Sequence, residues 1–354
     1  MSALTHAGQP AAAPASGRSR ERGGARLADL AWLTWRQHRT VIIVGLVIAA
    51  AVTGSMLYVA ASITAISQEC GNAACPRGEG QPSSLGGSFG LSSLSAYLTL
   101  AVMLLPLLAG MFIGVPLLAR EHEQRTLLLA WSQDVTPQRW LWTKLAVLGA
   151  MTVAAGAAVS AAAGHLAHVV STATGQSQFS GNAFLVTGML PLVQSVVWLA
   201  VGVALGAAFR RTLPAIFTAL IGYGAAYLLI ERVYPSFMAP LTALTSLGGD
   251  QGSAARLQAN SLVVENSSGT IYDASGHPVS PALQSLCQSA NDLPKDQPNP
   301  CLAPQRHLMT LLRYQPGSRI PDFHLILIGG YLGLGAVAAA LLWWLVRRTS
   351  LSAG

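Results

Sequence analysis

Five uninterrupted stretches of this chain carry no Asp, Glu, Lys or Arg: Thr40–Gln68, Gly80–Ala119, Leu145–Phe209, Thr212–Ile230 and Phe323–Val346. A helix needs about 20 apolar residues to cross the hydrocarbon core of a bilayer. The third stretch is long enough for two crossings, divided by the polar turn Ser171-Thr-Ala-Thr-Gly-Gln-Ser-Gln-Phe-Ser-Gly-Asn182. The pattern predicts an all-α integral membrane protein with six spans, over 41–66, 95–119, 143–170, 184–209, 212–230 and 323–346. Only 10% of residues are charged, against about 25% in soluble domains. A soluble helical bundle would have nothing polar to show on these faces.

The first span lies too deep in the chain to read as a cleaved leader, and no small-residue cleavage signal follows it. Residues 1–26, rich in Ala, Pro, Gly, Ser and Arg, read as a disordered cytoplasmic tail. Six spans with an inner N-terminus sort the 21 Lys and Arg unequally. Arg18, Arg20, Arg22, Arg26, Arg36, Arg39, Arg120, Arg125, Arg139, Lys144, Arg210, Arg211, Arg347 and Arg348 fall inside, with five acids. The inner face then carries +9 and the outer −2, which recovers the net +7 of the chain. Positive charge marks the cytoplasmic side, so both termini, including 347–354, are expected inside a bacterial plasma membrane. The basic balance follows from this topology and is no sign of a nucleic-acid partner.

The four cysteines agree with that orientation. Cys70 and Cys75 fall in the first outer loop, and Cys287 and Cys301 in the last. An oxidising compartment favours disulfides, and the local pairs Cys70–Cys75 and Cys287–Cys301 are the expectation. Crossed pairing between the loops is the alternative, since sequence alone does not fix connectivity.

Residues 27–40 carry Trp32, Trp35, Arg36, His38 and Arg39, side chains suited to a membrane surface. They are expected to form a short interfacial helix entering span 1, or a plain positively charged flank. The cytoplasmic loop 120–142, between spans 2 and 3, holds the apolar cluster Leu127, Leu128, Leu129, Ala130 and Trp131, which points to contact with membrane or protein. Thr136-Pro137 is an N-cap and first-turn pair for the next helix. Spans 1–5 occupy 41–230. The outer segment 231–322 is rich in Pro, Gly, Ser and Asn, with an expected hairpin of Leu262–Glu265 and Thr270–Tyr272. Small residues four apart, Gly110/Gly114, Gly202/Gly206 and Gly329/Gly333, permit close helix contact.

The chain has two lysines, Lys144 and Lys295, and neither follows the glycines of a phosphate-cradling loop. Leu247-Gly-Gly-Asp-Gln251 echoes an ATPase signature but falls in the outer segment. His122-Glu123 opens a zinc-hydrolase motif whose second histidine is missing, since position 126 is Thr. His165 and His168 lack a third ligand and read as interfacial. Asn266-Ser-Ser268 fits a glycosylation sequon, a pattern common by chance. No carboxylate pair lies within a span to relay protons. The residues therefore predict no catalytic site, metal or cofactor on this chain.

The stretch Arg120-Glu-His-Glu-Gln-Arg-Thr126, then Leu129-Ala-Trp-Ser-Gln133, Val135-Thr136, Arg139-Trp140 and Lys144, resembles the cytoplasmic loop of actinobacterial ABC exporter permeases of the type-2 class. That loop reads Arg-Glu-x-Glu-x-Gly-Thr, Leu-Ala-Trp-Thr-Gln, Arg-Trp and Lys in the family. Tyr314-Gln-Pro316 with Arg319 is similar to it as well, as is the plan of six spans with a large outer segment before the last, a G-subfamily-like layout. Arg125 and Thr126 stand where the family has Gly-Thr. The resemblance implies two permease chains, identical or homologous, each docked to an ABC ATPase subunit that holds ATP and Mg. It implies that Arg120, Glu121, Glu123, Arg125, Thr126, Leu127, Leu128, Leu129, Trp131 and Gln133 form the coupling surface with the interfacial helix. Glu121 and Glu123 would pair with arginines of that helix or of the ATPase. An uncharged path suits an apolar or amphipathic cargo. The other readings are a membrane transferase acting on a lipid-linked substrate and a non-transporting immunity or sensor subunit.

Overall fold

A computed structural model describes residues 27–69, 91–123, 137–174, 177–179, 181–246, 261–289, 301 and 308–351. Six helical segments among them are long and apolar enough to cross a membrane. Span 1 is α1 (Leu27–Glu69). Span 2 joins α2 (Leu91–Leu108), a π-helical turn (Ala109–Gly114) and α3 (Val115–Glu123). Span 3 is α4 (Pro137–Thr174). A short α5 (Gly181–Leu185) precedes span 4, α6 (Leu190–Phe209). Span 5 is α7 (Thr212–Val233). Strands β1 (Leu241–Ser246) and β2 (Leu262–Tyr272), helix α8 (Pro281–Ser289) and strand β3 (Met309–Gln315) lead to span 6, α9 (Ile320–Leu351).

Residues 27–40 are not a separate helix. They continue without a break into span 1, giving one helix of 43 residues, about 65 Å long at 1.5 Å per residue. Nothing from Leu27 to Val44 is a glycine or proline, so no residue there ends the hydrogen-bond ladder. Span 4, by contrast, starts later than its apolar run. Gly188 adopts φ +64, a conformation that only glycine enters freely, and Pro191 fits the first turn of the helix that follows.

Span 4 is the axis of the bundle: 56% of its apolar stretch is buried, against 11% for span 5. Two of the three glycine pairs explain how it gets there. A Cβ on Gly110 would lie 2.6 Å from the Trp198 carbonyl oxygen, and one on Gly202 would lie 2.2 Å from that of Gly110. Gly114 and Gly206 meet Leu199 and Val115 in the same way. Spans 2 and 4 thus touch backbone to backbone, with the π turn beginning three residues after Pro106. The third pair, Gly329/Gly333, has nothing within 4 Å. Spans 1, 2 and 3 close a second core through Met56, Val59, Val102, Val159 and Leu166.

The segment between spans 5 and 6 contains a three-stranded antiparallel sheet ordered β1-β3-β2, so the fold is mostly helical and not all-α. The expected hairpin within 262–272 does not form. Leu262 and Val263 pair with Gln315 and Tyr314, while Ile271 and Tyr272 pair with Thr310 and Met309, with a bulge between. Both halves lie on one partner strand, whose paired residues are 37 (Tyr272 to Met309) to 53 (Leu262 to Gln315) positions further along the chain, and which outcompetes local pairing. At the turn after β2, the Ser275 hydroxyl and the His277 and Ser275 amides donate to Asp273, holding its carboxyl below its ordinary pKa.

Cys287 and Cys301 are bonded, as the local pairing requires, and are buried with Ile271 and Leu308. Cys70 and Cys75 lie outside the described residues. A cross-link closing a loop of about 15 residues is worth about 3 kcal/mol. Cys287→Ser with Cys301→Ser is therefore expected to expose α8 to protease at concentrations the parent resists, with the span fragments unaffected. Equal protection in both would show the bond to be dispensable.

Where the chain leaves the sheet for span 6, Gln315 is wholly buried. Its Nε2 donates to the Met238 carbonyl at 2.6 Å, and Arg319 donates to the Ala239 carbonyl at 2.8 Å and to Gln315 Oε1 at 2.7 Å. This staple ties the two ends of the sheet segment together. Phe179 and Phe184, which precede span 4, pack with Tyr234 at the end of span 5 and Phe323 at the start of span 6 as an aromatic floor.

Candidate coupling site

Residues two apart on a helix point about 200° apart, and the last turn of α3 uses this at the bundle end opposite the sheet. Glu121 faces span 3, where its Oε1 accepts from Lys144 Nζ at 2.6 Å. Glu123 faces span 5. There the Thr212 backbone N–H donates to its Oε1 at 2.7 Å and the Thr212 hydroxyl to its Oε2 at 3.0 Å. Glu123 thereby caps α7, whose own N-cap residue, Arg211, supplies no side-chain bond. The neighbouring Arg210 takes the left-handed conformation (φ 53) that lets the three-residue link reverse direction.

Within this chain the interfacial-helix half of the expected pairing is not seen. Neither acid pairs with an arginine of residues 27–40; one meets a lysine and the other a helix N-terminus. Lys144 is 2% exposed and also lies 3.8 Å from the centre of the Trp140 ring. A buried ammonium needs such company, because stranding a charge costs several kcal/mol. The second oxygen of Glu121 is buried without a partner, as is His38 Nε2 on α1. Arg120 is exposed beside them. Arg125, Thr126, Leu127, Leu128, Leu129, Trp131 and Gln133 lie outside the described residues.

Along α1, Trp32 and Trp35 are exposed, 60% and 40%, and so are Arg36 and Arg39. Arg36 lies over Trp32 at 5.5 Å. The same spacing recurs at this end of the bundle: Trp140 with Lys144, Trp343 with Arg347 at 3.8 Å and Trp344 with Arg348 at 3.9 Å. All fall within the 6 Å reach of cation–π attraction. The exposed Arg36, Arg347 and Arg348, each one helical turn after a tryptophan, are anchors suited to a membrane interface, whereas Lys144 makes the same contact inside the bundle. Trp343 and Trp344 are not among the residues expected at the surface, although the Trp-x-x-x-Arg/Lys spacing repeats in the sequence.

Among the described residues no three His, Cys, Asp or Glu side chains converge to hold a metal. His165 and His168 sit on α4 without such company.

Six apolar helices belted at one end by tryptophan and base define a multi-pass membrane protein. Residues 44–234, spanning five of the six helices, match the family described as ABC-2 membrane transporter related. The chain belongs to that family. Residues 236–320 match a domain of unknown function, DUF8319. The junction between the two falls in the 3-10 turn Tyr234–Ser236, where helix gives way to sheet. No curated protein and no solved structure matches the chain.

Proposed function

We propose that this chain is the membrane-spanning subunit of an ATP-driven exporter in a bacterial plasma membrane, powered by ATPase subunits on separate chains. The observation that carries the reading is the family match across spans 1–5. Two permease chains, identical or homologous, pair around a path, and each docks an ATPase that holds ATP and Mg. Both termini face the cytoplasm and the sheet segment faces out. The cargo is apolar or amphipathic, since the spans carry almost no charge.

Coupling follows from reach. An ATPase in the cytoplasm moves the spans through segments that extend to it, and Arg210-Arg211-Thr212 is too short. The loop 120–142 remains, aided by Trp32, Trp35, Arg36 and Arg39. Its first turn is where Glu121 holds span 3 and Glu123 holds span 5, so a push on the loop reaches three spans together. Leu127, Leu128, Leu129, Trp131 and Gln133, with Arg125 and Thr126, form the docking face.

Affinity capture of the chain from its native membrane is expected to bring down a phosphate-loop ATPase. Replacing Leu127, Leu128 and Leu129 with Ser should weaken that capture several-fold at unchanged chain abundance. The purified chain alone should neither bind nor hydrolyse ATP. Tight nucleotide binding by the isolated chain would sink the proposal.

A further inference from the structure

The end of span 6 away from the sheet carries two side-chain stacks that the coupling reading leaves unused. Trp343 and Trp344 are exposed, 50% and 44%. One turn further, Arg347 lies 3.8 Å over the first ring and Arg348 lies 3.9 Å over the second. Consecutive residues sit about 100° apart on a helix, so the two stacks run side by side on adjoining faces. Both arginines are exposed as well. No acid follows Asp322 in the sequence, so span 6 brings no carboxylate of its own to this end.

Helix length fixes the depth of these stacks. From Phe323 to Trp343 span 6 runs 20 residues without a break. At 1.5 Å per residue that is about 30 Å, the thickness of a hydrocarbon core. With the aromatic floor that holds Phe323 at one edge of the core, the two tryptophans stand at the other. The arginines, four residues on, lie about 6 Å further out, and a headgroup layer is about 5–8 Å deep. They are therefore level with the lipid phosphates. Stacking occupies a flat face of each guanidinium and leaves its edge of N–H donors open. That edge fits two oxygens of one phosphate. The exposed indole rings beneath offer apolar surface to the glycerol and the first methylenes of an acyl chain. Two neighbouring cations favour a lipid of net negative charge, because a zwitterionic one brings an ammonium of its own toward them.

We propose that Trp343, Trp344, Arg347 and Arg348 form a binding site for an anionic phospholipid, with the phosphate on the guanidiniums and the acyl chains along the span below. Charge alone does not define this site. Arg139 and Arg211 are exposed at the same end, but Val135 and Ala207 stand where a tryptophan would support them. Arg36 on α1 makes a single, looser stack at 5.5 Å. The proposal needs only the six spans in a membrane; neither an ATPase nor a direction of transport enters it.

The test titrates the full chain, purified in mild detergent, with phosphatidylglycerol or with phosphatidylcholine of the same acyl chains, and counts bound lipid by native mass spectrometry. The parent is expected to bind its first phosphatidylglycerol about tenfold more tightly than phosphatidylcholine, the gain of one charge-assisted contact. Arg347→Gln with Arg348→Gln should abolish that preference. Arg139→Gln with Arg211→Gln removes the same charge from the same end without touching a stack, and should keep it. Trp343→Leu with Trp344→Leu keeps both charges and should fall between the two. Should the first double variant fail to accumulate, Arg348→Lys keeps the charge but not the fork, and should bind phosphatidylglycerol several-fold more weakly than the parent. A parent without the preference overturns the site, as does a preference lost equally in both arginine double variants. Parent-like binding by the tryptophan variant or by Arg348→Lys overturns the stacked geometry. Competition by inorganic phosphate at the lipid's concentration would reveal a plain anion site and overturn the lipid. Failure to capture an ATPase would remove the permease reading while leaving this result intact.

Discussion

Gly202→Leu is expected to abolish the folded chain. A Cβ at that position would stand 2.2 Å from the Gly110 carbonyl oxygen, and what blocks it is backbone, not the movable end of a side chain. Overpacking an ordinary core costs about 1–3 kcal/mol, occasionally more; here spans 2 and 4 must separate along their whole contact, so the cost should exceed about 3 kcal/mol. Gly110→Leu should behave in the same way, being the other side of one contact. The control is Gly329→Leu, which replaces a glycine of the same spacing with nothing within 4 Å and should change stability by less than about 0.5 kcal/mol. Thermal unfolding in detergent, followed by size-exclusion chromatography, reads all three. A Gly202→Leu protein that elutes and melts like the parent would mean that spans 2 and 4 do not touch.

The second large effect lies at the opposite end of the bundle from the sheet. Lys144→Ala leaves the Glu121 carboxylate without its cation, and Glu121→Ala leaves an ammonium that is 2% exposed without its anion. Breaking a buried pair from one side costs about 3–5 kcal/mol, so both single variants should lose abundance and melt early. Lys144→Met combined with Glu121→Leu removes both charges at similar volume, which is often neutral or stabilising, and should melt near the parent. Transport separates structure from coupling. If the pair conveys motion from the coupling loop, the double variant folds yet loses cargo-dependent stimulation of the ATPase. If it transports like the parent, the pair only holds spans 2 and 3 together. Glu123→Ala removes a helix cap and should cost about 1 kcal/mol, a fraction of either single variant.

Much of the helical framework was legible because a bilayer imposes one rule on every residue facing it. Charge-free runs of sufficient length are visible one residue at a time, and all six expected spans correspond to apolar helices. The helix start at Pro137 was legible for a related reason, since proline is restricted by its own ring. The break before span 4 was equally local: Gly188 and Pro191 announce it, but the hydrophobic count outweighed them. The absence of a break after residue 40 was local too, because a charged stretch can continue a helix as readily as it can interrupt a span.

Other features depended on which segments meet, and no window of sequence contains that information. Within the spans glycines four apart occur three times, yet only Gly110/Gly114 and Gly202/Gly206 face each other, because the bundle turns those faces together and leaves Gly329/Gly333 outside. Glu121 and Glu123 were singled out as charges at the mouth of a loop. Their partners, Lys144 and Thr212, are 23 and 89 residues away. Strand β2 carried its own turn signal and still paired along β3. By itself the sequence determined what must avoid water, through the solvation cost of charge and of backbone polar groups. The tertiary structure alone decided which buried polar groups find partners, because a hydrogen bond needs two atoms within about 3 Å, and only folding brings distant residues that close.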